Sequence, residues 1–164
     1  MIQLTEAEEI EQLHYIIDED CKELGIPIVS KHRRRQQSTK VGPHKFREYK
    51  IEDGIKIYIG RDGKDNDKLT FGFASKNDLW FHAQQSHGSH IILKRPQKNY
   101  DFSQNQINTA AAIAAYYSKA RSSSSVPIIY TLVKYVRKPR GAPPGKALYS
   151  NEKSILVEPF KPKL

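Results

Sequence analysis

From residue 46 the chain alternates apolar and polar positions: Phe46-Arg47-Glu48-Tyr49-Lys50-Ile51, then Ile55-Lys56-Ile57-Tyr58-Ile59. A period of two belongs to a strand with one buried face. Asp53-Gly54 between the two runs favours the positive backbone angles of a tight type I′ turn, which predicts a β-hairpin. A polar loop from Gly60 to Asp67 follows, and Leu69, Phe71 and Phe73 then share a face, predicting another strand. Shorter strands are expected around Trp80 and from Ser89 to Leu93. The period lengthens from Ser103 to Lys119, where Ser103 and Gln106 form a capping box ahead of a helix. Ala110, Ala111, Ala112, Ala114 and Ala115 leave so little bulk that this helix should lie close against the sheet. The serine run from Ser122 to Ser125 reads as a loop, and Ile128 to Val136 as the longest strand. A basic Gly/Pro-rich turn from Lys138 to Lys146 then precedes two short strands near Ala147 to Tyr149 and Ile155 to Val157. The fold expected is α+β, a mainly antiparallel sheet with one Ala-rich helix packed on a face and an N-terminal amphipathic helix before it.

That first helix is opened by Thr5 and Glu8 as a second capping box, and Ile10, Leu13, Ile17, Cys21 and Leu24 recur at spacings of three and four. Gly25 and Pro27 end it. Its narrow apolar seam fits either one strand of a coiled coil or a helix that packs on its own domain. Residues 30–48 are polar and strongly basic, with little apolar periodicity, and read as a linker. The division expected is a helix over 1–25, a basic linker over 26–44 and a single globular domain over 45–160.

Charge sharpens this division. Residues 1–24 hold eight acidic side chains against one basic, Lys22, which leaves 26 basic against 10 acidic afterwards. An acidic appendage on a basic body points to a polyanionic partner, and RNA, DNA and an anionic membrane surface all qualify. The lone Cys21 can form no internal disulfide, and no apolar run approaches the ~20 residues of a membrane span. A cytoplasmic protein without membrane insertion is expected.

The residues give little support to an enzyme. There is no Gly-x-Ser-x-Gly elbow and no phosphate-cradling Gly-x-x-x-x-Gly-Lys-Ser/Thr sequence. Asp62, Asp65 and Asp67 lack the glutamate that completes a calcium loop and are expected to form a turn. His82, His87 and His90 have no further ligands nearby, so neither a metal nor another cofactor is expected. Asp78-Leu79-Trp80-Phe81-His82 is more informative, because strand alternation sends Asp78, Trp80 and His82 to one face and Leu79 and Phe81 into the core. Two readings of that face stay open. Trp80 is either an exposed platform on which an unpaired base stacks, with His82 reaching phosphate or 2′-hydroxyl groups, or a core residue beside a turn-forming Asp78. Asp78 itself could accept from a base amino group or fix one tautomer of His82. Arg61, Lys119, Arg121, Lys134, Arg137, Lys138 and Arg140 could form a rim of phosphate contacts around such a site, provided that they converge.

Gly60-Arg61, Asn66-Asp67-x-Leu69-Thr70, Asp78-Leu79-Trp80-Phe81-His82, Gly88-Ser89-His90 and Ala114-Ala115-Tyr116-Tyr117-Ser118-Lys119-Ala120-Arg121 resemble, in order, the motifs of the NFACT-R family. Lys138-Pro139, Pro144-Gly145 and Val157-Glu158-Pro159 extend the likeness over about residues 45 to 160. Gly60-Arg61-Asp62 stands where the family has Gly-Arg-Asn, and His87-Gly88 where it has Pro-Gly. The resemblance implies the last domain of an NFACT protein of ribosome quality control, with residues 1 to 24 ending a preceding coiled coil. Such proteins bind a large ribosomal subunit carrying an obstructed chain and recruit alanyl-tRNA, so that the chain gains a C-terminal alanine tail formed by the ribosome's own catalytic centre. The resemblance further implies tRNA contact by Asp78, Trp80 and His82 alone, and His90 is expected among the RNA-binding residues beside them. An alternative within the same family is a host-matrix adhesin that binds fibronectin or fibrinogen at the cell surface.

Overall fold

Six strands, β1 (Arg47–Lys50), β2 (Lys56–Ile59), β3 (Leu79–Ala83), β4 (Ile91–Leu93), β5 (Val126–Leu132) and β8 (Lys153–Val157), form one antiparallel sheet in the order β1-β2-β4-β3-β5-β8. The computed structural model describes residues 44–164, so the expectations for the first helix and for nearly all of the basic linker lie outside the described residues. β1 (Arg47–Lys50) and β2 (Lys56–Ile59) form the expected hairpin, with Arg47 opposite Ile59 and Lys50 opposite Lys56. Their connection is longer than a two-residue turn. Glu52–Gly54 make one 3₁₀ turn, Gly54 takes φ +72°, and the Ile51 amide donates to the Ile55 carbonyl at 2.9 Å. This is the three-residue loop in which glycine supplies the left-handed position, and only its Gly54 matches the sequence expectation.

β3 (Leu79–Ala83) lies between β4 (Ile91–Leu93) and β5 (Val126–Leu132), so that Trp80 faces Ile92 on one side and Thr131 on the other. β8 (Lys153–Val157) closes that edge by pairing with β5. A separate two-stranded ribbon joins β6 (Val136–Arg137) to β7 (Leu148–Tyr149). The strand expected from Ile128 to Val136 therefore starts two residues earlier and breaks at a 3₁₀ turn over Val133–Tyr135.

One face of the sheet is covered by the expected helix, which spans Gln104–Tyr116. Ser103 caps it: its hydroxyl accepts from the Gln106 amide, and the Gln106 side chain accepts from the Ser103 amide at 3.0 Å. Ala110, Ala111, Ala114 and Ala115 are buried with Ile113 against Ile57, Leu79, Phe81, Ile91 and Ile128, so the small side chains do set a close approach.

The second face is covered too, which the strand pattern did not show. Trp80, Ile92 and Ile129 project there and bury against Leu69, Val133 and Val136. The cover comes from the β6–β7 ribbon and from residues 63–73, where a polar loop to Asp67 and then a strand through Leu69, Phe71 and Phe73 were expected. Gly63–Asp67 form a short helix, α1, that runs directly into a π-helical stretch over Lys68–Phe73, with the Gln104–Tyr116 helix following as α2. The physical reason lies upstream of the alternating residues. The Asp62 carboxylate accepts the Asp65 amide at 2.9 Å and starts a helix, and the hydrogen-bonded turns then carry through the apolar positions. Leu69 is consequently buried, whereas Phe71 and Phe73 remain 39% and 38% exposed.

Candidate nucleic-acid interface

Alternation along β3 holds, but its consequence differs from a stacking platform. The rings of Trp80 and His82 lie on the same face, parallel within 3° and 5.7 Å apart. Trp80 is only 1% exposed and meets His90 edge-on at 5.2 Å and Tyr149 at 5.5 Å. An indole so covered offers no open face to a base, so the second of the two sequence readings of Trp80 describes its packing. Asp78 is equally buried and is committed to the loops before and after it. Its carboxylate accepts from the Ser75 amide at 2.7 Å and the Arg95 amide at 2.9 Å, and lies 3.0 Å from the Lys94 ammonium. It does not hold His82. That ring donates its Nδ1–H to the Ala83 carbonyl at 2.8 Å, because a carbonyl can only accept.

His90 is fixed more completely. Its Nε2–H donates to the Gly145 carbonyl at 3.1 Å, which leaves Nδ1 to accept from the Thr70 hydroxyl at 2.8 Å. Its amide donates to Asn66 Oδ1 at 3.0 Å. Burial, reinforced by the nearby His82 ring, brings the His90 pKa down to about 3, so the ring is neutral at physiological pH. Burial also lowers the pKa of His82, against the opposing pull of the Ala83 and Gly88 carbonyls. His90 is thus a clamp between the sheet, α1 and the loop at 138–147 rather than a surface cation.

The three aspartates expected to form a turn are each occupied. Asp62 caps α1. Asp65 is buried and accepts from the Arg61 amide at 3.0 Å and the Arg61 guanidinium at 3.2 Å, and also bonds the His44 ring. Burial alone would raise its pKa, but these bonds outweigh burial and hold the carboxyl below its ordinary value. Asp67 pairs with Lys138 at 2.9 Å and accepts the Gly145 amide at 3.1 Å. Lys138 also donates to the carbonyls of Pro143 and Lys146, so it is a strut within its own loop. Among the described residues, no three His, Cys, Asp or Glu side chains converge as a metal site.

The expected rim of seven cations divides. Arg61, Lys119 and Arg121 come together on one open cleft of about 980 Å³, where Arg47 and Lys161 join them. Lys134 instead lies over the Tyr135 ring at 5.0 Å, Lys138 is paired with Asp67, and neither Arg137 nor Arg140 lines the cleft. The cleft is built by local backbone bonds. The Lys119 amide donates to the His87 carbonyl at 2.9 Å and the Ser89 amide to the Tyr117 carbonyl at 3.0 Å, which fastens the 87–89 loop to the end of α2 and sets both cations beside it. Arg61 is oriented by Asp65, and Arg47 lies 5.4 Å from the centre of the Tyr117 ring. Asp62 is the single acidic side chain lining this cleft. Among the described residues, Arg47, Lys119, Arg121 and Lys161 have no carboxylate within ion-pair distance. Sequence reasoning missed Arg47 and Lys161, which come from opposite ends of the domain and carry no motif of their own.

A second cavity, of about 670 Å³, adjoins the cleft and shares Gly63, Asn66, His87 and Gly88 with it. Trp80, His82, His90 and Tyr149 line it together with the Pro143-Pro144-Gly145 turn. The family model described as the NFACT protein RNA binding domain matches residues 45–151. The chain belongs to this family.

Relatives of the NFACT-R domain agree. The chain is 34% identical over 156 residues to the Rqc2 homolog RqcH of Bacillus subtilis, a match covering 92% of this chain and 27% of that protein. It is 38% identical over 133 residues to the Rqc2 homolog RqcH of Streptococcus pneumoniae, covering 80% and 24%. The chain therefore spans about a quarter of the length of the curated relatives it matches. A solved structure, the C-terminal part of the fibronectin/fibrinogen-binding protein of Streptococcus suis, superposes with a TM-score of 0.66 at 35% identity, covering 88% of this chain and 55% of that one.

Proposed function

We propose that this NFACT-R domain holds RNA by its phosphates, with tRNA or large-subunit rRNA lying along the cleft between α2 and the start of α1. The observation that carries the reading is the convergence of Arg47, Arg61, Lys119, Arg121 and Lys161 on one surface with a single acidic side chain among them. Cations so placed position a nucleic acid without reading its sequence, and they release condensed counterions when they do so. The relatives named RqcH support a wider role in a cytoplasmic ribosome-quality-control factor that engages stalled large subunits and recruits alanyl-tRNA for C-terminal alanine tailing. In that role the domain supplies binding, and peptide-bond chemistry is left to the ribosome, with no cofactor of its own. No helix among the described residues is long and apolar enough to cross a membrane, and the reading needs none.

The name of the solved Streptococcus suis relative favours a second reading, attachment to fibronectin or fibrinogen through the same basic surface. Crosslinking the protein to RNA in cells and sequencing the bound species separates the two. Recovery of tRNA and large-subunit rRNA supports the first reading. Absence of bound RNA, together with fibronectin binding that survives nuclease and ~0.15 M salt, supports the second.

A further inference from the structure

The sheet ends at β1, and among the described residues no strand pairs with its outer edge. Which backbone groups face that edge follows from the register. The Ile51 amide donates to the Ile55 carbonyl directly opposite, so Ile51, Tyr49 and Arg47 direct their backbone groups to β2. The next strand agrees. The Gly60 amide donates to the His90 carbonyl and the Lys94 amide to the Lys56 carbonyl, which turns Lys56 and Tyr58 towards β4 and leaves Ile57 and Ile59 for β1. Glu48 and Lys50 are therefore the residues whose N–H and C=O groups point outward from the sheet. Their side chains are exposed. An open strand edge is a template for another strand, and many proteins block it with charge, lysine above all. β1 carries instead one acid and one base, on either side of Tyr49.

That order is self-complementary. In an antiparallel pair of two β1 strands centred on Tyr49, Glu48 of each copy stands opposite Lys50 of the other. Both members of that pair have outward-facing backbone groups, so they exchange both of their hydrogen bonds, and Tyr49 meets its own copy in the closer, non-hydrogen-bonded position. A shift of one residue sets an outward residue against an inward one. A shift of two sets Glu48 against Glu48, or Lys50 against Lys50. Within one copy Lys50 stands opposite Lys56, an unfavourable like-charge pair that the partner's Glu48 relieves. The groove beside this edge, of about 560 Å³, is walled by Tyr49, Ile51, Ala112 and Phe160, and it has room for a second Tyr49 ring. Its two charged lining residues, Lys50 and Glu52, are opposite in sign, so unlike the cleft it does not attract a polyanion.

We propose that β1 pairs antiparallel with β1 of a second copy of this chain, joining two six-stranded sheets across a two-fold axis at Tyr49. The strand is only four residues long, so the contact belongs to the small, weak class of interfaces and forms at micromolar rather than nanomolar concentration. Neither Glu48 nor Lys50 lines the basic cleft, so the pairing leaves that surface open and gives the dimer two of them.

Sedimentation velocity of the nuclease-treated 164-residue protein tests this, at ~0.15 M salt to screen the repulsion between two copies of net charge +9. Wild type is expected to pass from monomer to dimer between about 1 and 200 µM. Glu48→Lys makes both outward positions basic and Lys50→Glu makes both acidic, so each variant alone should self-associate at least about tenfold more weakly. An equimolar mixture of the two should restore the dimer, because basic strands then face acidic ones, and the doubly reversed Glu48→Lys/Lys50→Glu protein should dimerise by itself. Both positions are exposed, so the melting temperatures should stay near wild type. A wild-type protein that remains monomeric throughout overturns the proposal. So does a dimer that neither single reversal weakens, since its interface then lies elsewhere. Failure of the mixture to dimerise while wild type does so overturns the register centred on Tyr49.

Discussion

The Nε2–H of His90 donates to the carbonyl of Gly145 at 3.1 Å, joining a buried residue beside β4 to a loop that starts after β6. The bond requires a proton on Nε2, and burial, which keeps the ring neutral, leaves Nδ1 to accept from Thr70. It thereby couples the architecture around the candidate site to pH.

That coupling has a definite sign. His90 has a folded pKa of about 3, below the ~6.5 of an unfolded histidine, so the unfolded chain takes up the proton first as pH falls. Stability should be flat above about pH 6.5 and decline from there towards pH 3, by about 2 kcal/mol at pH 5 from this residue alone. The lowered pKa of His82 adds to the loss in the same direction. Urea unfolding at pH 7.5 and pH 5 measures it, and identical midpoints would contradict the buried, neutral assignment.

Gly60 leaves no room for a side chain unless Asn66 moves. A Cβ there would stand 1.9 Å from Asn66 Oδ1, the atom that accepts the His90 amide. Gly60→Ala should therefore cost about 2–4 kcal/mol, as overpacking and loss of the buried bond act together. Gly72→Ala, at a glycine with open space around its would-be Cβ, is the control for a general glycine effect. Thermal melts of both variants suffice.

Trp80→Ala is expected to unfold or strongly destabilise the domain rather than merely remove an RNA contact. The indole fills the core between the sheet and the β6–β7 ribbon, and truncating a buried aromatic costs about 3–5 kcal/mol. Trp80→Phe should cost far less, since it also removes an unsatisfied N–H. A stable, soluble Trp80→Ala protein with a wild-type melting curve would contradict this packing.

Asp67→Asn should loosen the 138–147 loop, because it removes the charge that pairs with Lys138 and weakens the acceptor for the Gly145 amide. Limited trypsin digestion is the direct readout, with cleavage after Lys138, Arg140 or Lys146 accelerated over wild type. Cleavage at an unchanged rate would show that the loop is held by its other bonds.

The sequence alone revealed the β1–β2 hairpin, the capped α2 and the β3 alternation, because each is written in local spacing. Other features were not legible. Leu69, Phe71 and Phe73 have strand spacing, yet a single capping carboxylate upstream, Asp62, commits that stretch to helical turns. Trp80 sits on the predicted face, but only the return of β6 and β7 from much later in the chain shows that this face is covered. The cations are equally instructive. Arg61, Lys119 and Arg121 meet through pairing of the 87–89 loop with the end of α2, whereas Lys138, chosen on the same grounds, is neutralised by Asp67. No spacing rule distinguishes a lysine that faces a cleft from one that ties its own loop.

The central claim is that the cleft cations hold RNA, and the most direct test is the salt dependence of tRNA affinity for wild type and for the Lys119→Ala/Arg121→Ala/Lys161→Ala variant. These three side chains are exposed and outside the core, so the fold should persist. The account predicts binding that weakens steeply with salt, and a variant whose affinity is at least about tenfold lower with a log–log slope shallower by about 2 for three lost phosphate contacts on a single-stranded segment. Unchanged affinity and slope in a folded variant would contradict it.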